Sequence, residues 1–125
     1  MKQIVILGSG FAALTAIREL RKRGVQDEIT VVSPSNELVY LPSLIWLPSG
    51  KRQADDLRVP LAAFFHRQRV RWHPGSVRQV LDGGRRIATD HGELTSDYLV
   101  VATGGRYLRK LPGIEHAIIP CEGIT

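Results

Sequence analysis

The sequence is poor in cysteine and has no long apolar run. Cys121 is the only cysteine among 125 residues, so a disulfide framework within the chain is excluded. No apolar stretch approaches the roughly 20 residues that a membrane-spanning helix needs. The amino end leads directly into an apparent strand, so we expect no secretory signal and a cytoplasmic location. Low-complexity tracts and internal repeats are also absent, and the length allows one domain at most.

Aromatic residues make up only 6% of the chain, although its net charge is +5. Lys and Arg are spread over several segments, and no basic motif interleaved with aromatic residues occurs. This distribution argues against nucleic-acid binding. It favours a solvated basic surface that faces anionic lipid or an acidic partner.

The first 33 residues carry the clearest pattern. A β-branched apolar run at 4–7 predicts a strand buried on both faces of a parallel sheet. A G-x-G-x-x-A turn at 8–13 follows, and apolar residues then recur at helical spacing from Phe11 to Leu20. Gly24 stands where such a helix would end, and 29–32 is a second strand of the buried type. Strand, turn, helix and strand form one βαβ unit.

The small residues of this turn have separate physical roles. Gly8 lets the chain leave the strand sharply, and Gly10 has no side chain to hold a diphosphate away from the backbone. Ala13 lets the helix lie close to the sheet. The helix then offers free N–H groups to the diphosphate at its amino end. The unit therefore predicts dinucleotide binding, with a tight turn that binds no ligand as the alternative.

The second strand ends in Ser33 and Pro34, where an acid commonly binds the adenosine ribose. The nearest acid is Glu37. A serine supplies one ribose hydrogen bond but no charge, which weakens an NAD interpretation and leaves FAD open. Ser33 can equally be a strand-end residue that begins a turn with Pro34.

The rest of the chain gives weaker patterns. Residues 34–50 are predicted to form a loop, which is so apolar that it covers a flat ring system, docks on another domain or packs on the sheet. Asp55 or Asp56 is expected to cap a short helix rather than to bind metal, since no His or Cys stands at a ligand spacing nearby. Pro60 is predicted to open a helix that continues to Arg67.

Short apolar segments between turn signals at 76–95 predict a small antiparallel meander inserted beside the parallel sheet. Residues 98–102 predict another buried strand. The expected fold is therefore an α/β, Rossmann-like parallel sheet that starts with a βαβ unit and carries a β meander insertion.

Three motifs together, GSGFAA, SDYLVVATGG and LPGIE, resemble the first FAD-binding segment of the pyridine nucleotide–disulfide oxidoreductase superfamily. The stretch LPSLIWLPSGKRQADDLRVPL is similar to sulfide:quinone oxidoreductases, which also commonly carry serine at the end of the second strand. The resemblance covers essentially the whole chain. It implies that residues 1–125 are the amino-terminal part of an FAD-binding domain in a longer flavoprotein.

The resemblance also implies roles for individual residues. Cys121 stands where these enzymes often have the first of their redox cysteines, but nothing basic beside it favours a thiolate, so an ordinary cysteine is the alternative. The implied cofactor-binding residues are Gly8, Ser9, Gly10, Phe11 and Ala12 at the diphosphate, Ser33 and Pro34 at the adenosine ribose, Pro42 and Ser43 in a loop that approaches the flavin, Val77 at the adenine, and Ala102, Thr103 and Gly104 in a turn beside the diphosphate and ribityl chain.

For the full protein the resemblance implies oxidation of sulfide and reduction of a membrane quinone, with peripheral membrane association through later segments. The alternatives are a type II NADH:quinone dehydrogenase-like protein, a flavocytochrome c sulfide dehydrogenase-like protein, and a nucleotide-binding module without catalysis. The 125-residue chain alone is expected to be inactive. Its uncovered apolar faces lead us to expect a homodimer or aggregation of this piece.

Overall fold

Three sheets and two α-helices make up the computed structural model, which describes residues 1–106 and 108–117. The strands are β1 (Gln3–Leu7), β2 (Glu28–Ser33), β3 (Glu37–Val39), β4 (Arg58–Pro60), β5 (Val70–Pro74), β6 (Val77–Leu81), β7 (Arg86–Thr89), β8 (Gly92–Thr95) and β9 (Tyr98–Val101). The α-helices are α1 (Phe11–Lys22) and α2 (Ala62–Gln68), and short 3-10 helices cover Leu41–Trp46, Ala54–Leu57, Asp82–Gly84 and Ile114–His116.

The main sheet is parallel, with strand order β5-β2-β1-β9. Helix α1 connects β1 to β2, and β1 lies between β2 and β9 in the sheet. Ile4, Val5, Ile6 and Leu7 are each at most 6% exposed, which explains why this strand is wholly apolar. The carboxyl ends of β1, β2 and β9 meet at one edge of the sheet, where open α/β sheets bind ligands.

Alternate residues of β1 and β2 face two separate apolar layers. On one face Ile6 and Val31 pack with Ala13 and Ile17 of α1 and with Phe65 of α2. The second layer is smaller and lies under the meander. It consists of Val5, Leu7, Val32 and Ile87.

The antiparallel meander is present as predicted. β7 pairs with both β6 and β8, and Ile87 at its centre is fully buried. The predicted fold class, a parallel sheet with a βαβ start and an antiparallel insertion, is therefore confirmed.

The prediction of a plain loop at 34–50 was wrong in part. β3 lies within it and pairs with β4 in a separate two-stranded sheet. The backbone N–H of Tyr40 also donates to the carbonyl of Leu57, at 2.8 Å. An apolar segment close to the rest of the fold needs partners for its backbone groups, and β4 supplies them.

Pro60 does not open a helix, because it is the last residue of β4 and α2 begins at Ala62. Asp56 caps a short helix as predicted, but from within it, because the N-cap residue is Gln53 and Asp56 is the third residue of the helix. The Gln53 N–H donates to its carboxylate at 2.8 Å, at the start of the 3-10 helix Ala54–Leu57.

β9 is an edge strand rather than the fully buried strand that its sequence predicted. Tyr98 is 60% exposed and Val101 is 65% exposed, whereas Leu99 and Val100 are half-buried. Only β1 pairs with β9 among the described residues. Within the described part of the chain, one long side of this strand therefore has no backbone partner.

Within residues 1–106 and 108–117, no helix is both long and apolar enough to cross a membrane.

Candidate functional site

The turn after β1 packs against the turn after β9. Gly8 has φ +110°, a backbone conformation that residues with a side chain rarely adopt. A Cβ added to Gly8 would lie 2.2 Å from the carbonyl oxygen of Ala102 and 3.3 Å from the backbone nitrogen of Thr103. Gly8 is thus required both by its conformation and by the close approach of the second turn.

Gly10 has a different role in the same loop. Its φ of −82° and ψ of −168° suit any residue, and a Cβ added there would meet no atom within 4 Å. Glycine at this position leaves open space in front of the first turn of α1. No side chain among the described residues caps this turn, and no acid lies within it.

The amino end of α1 has free hydrogen-bond donors. The first bond of the helix runs from the N–H of Leu14 to the carbonyl of Gly10, at 3.1 Å. The N–H groups of Phe11, Ala12 and Ala13 precede it and have no carbonyl to bind within the helix. With the dipole of α1 unopposed at this end, the loop suits an anion.

Ser33 lies at the end of β2 and is only 3% exposed. Its hydroxyl donates to the carbonyl of Ser35 at 2.7 Å. The indole N–H of Trp72 lies 3.1 Å from the Ser33 Oγ and 3.2 Å from the Ser33 carbonyl oxygen. The backbone N–H of Gly75 also donates to that carbonyl, at 3.0 Å. The predicted ribose residue therefore already makes hydrogen bonds within the protein through both its hydroxyl and its carbonyl.

Trp72 was not predicted as a site residue. It lies on β5, beside β2, and its side chain reaches Ser33 across the sheet. A buried or half-buried tryptophan needs an acceptor for its indole N–H, and this need was the only sequence signal available. The two residues are 39 positions apart, so their spacing in the sequence gave no sign of the contact.

The loop that is predicted to approach the flavin starts close to the loop at 8–12. Phe11 and Tyr40 make an edge-to-face contact, with ring centroids 5.8 Å apart. Tyr40 then leads into the 3-10 helix that contains Pro42 and Ser43. Further along this segment, the Lys51 ammonium lies 4.8 Å from the ring centroid of Trp46.

Val77 opens β6 and packs against the layer that contains Leu7 and Val32. Those two residues immediately precede Gly8 and Ser33. The meander thus places Val77 near the same edge of the main sheet. Thr103 and Gly104 are exposed there, directly after β9.

The structure brings most of the predicted site residues to one edge of the sheet. The loop at 8–12, the turn at 33–34 and the turn at 102–104 follow neighbouring strands, and Val77 and the segment at 42–43 attach to them through the contacts given above. Cys121 lies outside the described residues. The roles of the predicted site residues in binding a cofactor stay predictions.

Two ionisable groups among the described residues have clearly shifted pKa values. Burial lowers the pKa of the Arg21 guanidinium, which donates to carbonyls at 25, 27, 68 and 69. Hydrogen bonds from His91 and from the Ser76 N–H lower the pKa of Asp90. In the described part of the chain, no three His, Cys, Asp or Glu residues lie close enough to hold a metal ion.

The residues at this edge fit the diphosphate and adenosine of a dinucleotide. The open space at Gly10, the uncapped amino end of α1 and the close packing of Gly8 on Ala102 are the features that such a ligand requires.

Comparison with known proteins agrees with this geometry. The sequence profile of the family described as "Pyridine nucleotide-disulphide oxidoreductase" matches residues 2–122. A nitric oxide reductase FlRd-NAD(+) reductase from Klebsiella pneumoniae is 33% identical over 116 residues, which are 90% of this chain and 31% of that protein. A type II NADH:quinone oxidoreductase from Staphylococcus haemolyticus is 29% identical over 108 residues, which are 82% of this chain and 26% of that protein.

A solved structure shares the fold. The sulfide:quinone oxidoreductase from Aquifex aeolicus superposes with a TM-score of 0.79 at 25% identity, over 86% of this chain and 25% of that chain. The chain thus spans about a quarter to a third of the length of these relatives. The cofactor implied for the chain is FAD. The chain belongs to the pyridine nucleotide-disulphide oxidoreductase family, as an FAD-binding or NAD-binding segment of a flavin-dependent oxidoreductase.

Proposed function

We propose that this chain is the amino-terminal part of an FAD-binding domain and holds the adenosine diphosphate half of FAD. The diphosphate lies on Gly8, Ser9, Gly10, Phe11 and Ala12, at the amino end of α1. The turn at Ser33 and Pro34 lies beside the adenosine ribose. Val77 lies beside the adenine, and Ala102, Thr103 and Gly104 follow the diphosphate and ribityl chain.

The observation that carries this proposal is the contrast between the two glycines of the loop. The space that a side chain at Gly8 would need is occupied by the backbone of Ala102, whereas the space at Gly10 is open. A glycine needed only for a tight turn would have a positive φ, as Gly8 has, but Gly10 does not. The absent side chain at Gly10 is explained by a ligand that occupies the space in front of it.

The isoalloxazine ring of FAD supplies the redox chemistry of such a protein when it is bound. The residues of this chain bind and orient the other end of the molecule. Free N–H groups at the start of α1 offset the diphosphate charge. Pro42 and Ser43 lie in the 3-10 helix that follows Tyr40, whose ring contacts Phe11 of the loop at 8–12.

For the intact protein, we propose sulfide oxidation coupled to quinone reduction. Two observations support it: the similarity of residues 41–61 to sulfide:quinone oxidoreductases, and the superposition on the Aquifex aeolicus enzyme at a TM-score of 0.79. Cys121 is the residue of this chain proposed to take part in the sulfur chemistry.

A second candidate is an NADH-linked flavoprotein. The name of the Klebsiella pneumoniae relative contains NAD(+), and the name of the Staphylococcus haemolyticus relative contains NADH. The first of these relatives is 33% identical to this chain. In that case the electron donor is NADH rather than sulfide.

The test uses the intact protein that contains this chain. Its cofactor is released by denaturation and identified, and FAD is the expected result. The loaded protein is then mixed anaerobically with sulfide or with NADH while flavin absorption near 450 nm is followed. Bleaching by sulfide, with reoxidation by a quinone, supports the first candidate, and bleaching by NADH alone supports the second. Release of FMN or of no flavin contradicts the FAD proposal.

A further inference from the structure

Hydrogen bonds from β5 hold the turn that follows β2, and they converge on Ser33. The indole N–H of Trp72 reaches both the hydroxyl and the carbonyl of Ser33, at 3.1 and 3.2 Å. The Gly75 N–H reaches the same carbonyl at 3.0 Å. The Ser33 hydroxyl then donates its one proton to the carbonyl of Ser35, at 2.7 Å.

The Ser33 hydroxyl has little left to offer a ligand. A serine hydroxyl has one proton and two lone pairs. Here the proton goes to Ser35, one lone pair accepts from Trp72, and the residue is 3% exposed. Only the second lone pair is left to accept from a ribose hydroxyl, and the burial of the residue limits access to it.

Two further contacts connect the β2 turn to the diphosphate loop. The N–H of Gly8 donates to the carbonyl of Val32, one residue before Ser33, at 2.9 Å. The Ser9 hydroxyl lies 3.5 Å from the carbonyl of Ser35, the group that Ser33 already holds. The turn at 33–35 is therefore attached to β5 on one side and to the diphosphate loop on the other.

We infer that Trp72 is a positioning residue for the adenosine end of the site. Its indole N–H holds Ser33, and the Ser33 hydroxyl holds the carbonyl of Ser35. These bonds set the backbone conformation of the turn at 33–35, beside which the adenosine ribose lies. Ser33 acts on the ligand through this turn and not through its own hydroxyl. The inference rests on the proposed function, since it assigns a role within the proposed FAD site.

The test uses the intact protein freed of its flavin, with wild type, Trp72→Phe, Ser33→Ala and the double variant. Trp72→Phe keeps an aromatic ring and removes the N–H donor. The dissociation constant is measured for FAD, and for ADP and FMN as competitors, because each contains one half of FAD. Trp46→Phe is the matched control, since Trp46 is the chain's other tryptophan and lies on the 3-10 helix Leu41–Trp46.

The expected result is specific to the adenosine half. Trp72→Phe and Ser33→Ala each weaken the binding of ADP and FAD about tenfold, which corresponds to the loss of one hydrogen bond. The dissociation constant of FMN stays unchanged. The double variant is no weaker than either single variant, because both changes break the same path. Trp46→Phe binds ADP as wild type does.

Three results would overturn the inference. If Ser33→Ala weakens ADP while Trp72→Phe does not, the Ser33 hydroxyl binds the ribose directly. If Trp72→Phe weakens ADP and FMN equally, Trp72 stabilises the fold and has no specific role. If Trp72→Phe does not fold, Ser33→Ala takes its place, and ADP binding that is unchanged, or FMN binding that is weakened as much as ADP binding, overturns the inference. Wild-type protein that binds no FAD contradicts the proposed function itself, which distinguishes that failure from the others.

Discussion

β1 and β9 are neighbouring apolar strands whose burial differs sharply. They pair in register, with Ile4 opposite Tyr98 and Leu7 opposite Val101. Leu7 is 1% exposed and Val101 is 65% exposed. β1 lies between two strands and between two apolar layers, whereas β9 pairs on one side only among the residues that the structure describes. An apolar strand sequence thus predicts that a strand forms, but its burial depends on what else covers it.

The first prediction compares the effects of truncating a side chain on each strand on the free energy of unfolding. In the 125-residue chain, Leu7→Ala should lower the free energy of unfolding by about 3 kcal/mol, because it leaves a cavity in a filled core. Val101→Ala should change it by less than about 0.5 kcal/mol, because the side chain already contacts solvent. Urea denaturation of both variants measures the difference. Equal costs would mean that β9 is covered, and the contrast would be wrong.

The second prediction concerns the close approach of Gly8 to Ala102, just beyond the ends of these strands. Gly8→Ala forces a Cβ to within 2.2 Å of the Ala102 carbonyl oxygen, at a positive φ. We expect a loss of at least ~2 kcal/mol in the free energy of unfolding. Gly105→Ala is the control, since a Cβ there meets nothing within 4 Å, and it should be neutral. Thermal unfolding that is the same for both variants would contradict the packing of the two turns.

The third prediction concerns the open edge of β9. Unpaired backbone groups and exposed apolar side chains favour pairing with a second copy, so the isolated chain should self-associate at micromolar concentration. Val101→Lys should weaken this association several-fold. Ile45→Lys is the matched control, because Ile45 is 70% exposed but lies on a 3-10 helix. Sedimentation velocity at several concentrations measures the effect, and equal weakening by both variants would exclude a strand-edge contact.

The smallest expected effect is a pH dependence in the meander, which covers the side of β1 that faces Ile87. The folded pKa of Asp90 is lowered, chiefly by the hydrogen bond from His91, from an ordinary value of 3.8. Its contribution to stability is therefore full above that value and is lost as the pH falls through the lower folded pKa.

Asp90→Asn should accordingly flatten the acid side of a plot of thermal midpoint against pH, below about pH 5. Asp55→Asn, at an exposed carboxylate on another segment, should leave the profile as in wild type. Identical profiles for wild type and Asp90→Asn would show that the Asp90 contacts do not contribute.

Elements formed by local periodicity could be predicted from the sequence. β1, α1 and β2 follow from an apolar run, a glycine turn and helical spacing, and the meander follows from its turn residues. β3 and β4 could not be predicted, because three-residue strands exist only by pairing with each other. Pro60 has a φ that suits a helix start and equally suits the end of a strand, and the pairing with Glu37 decides between them.

The candidate site divides in the same way. The glycine turn at 8–13 could be predicted, since the G-x-G-x-x-A pattern specifies a tight turn that leads into a helix. The contact of Ala102 on Gly8 and the bond from Trp72 to Ser33 could not, because they join residues far apart in the sequence. Their geometry depends on the order of the strands, which local patterns do not contain.

The most direct test of the account is FAD binding by the intact protein with Gly10→Val. A Cβ at Gly10 meets no atom within 4 Å and its backbone suits any residue, so the variant should fold with a stability within about 1 kcal/mol of wild type. The account predicts that FAD affinity nevertheless falls at least tenfold, because valine fills the space left for the diphosphate. A folded Gly10→Val protein that binds FAD as tightly as wild type would contradict the central claim.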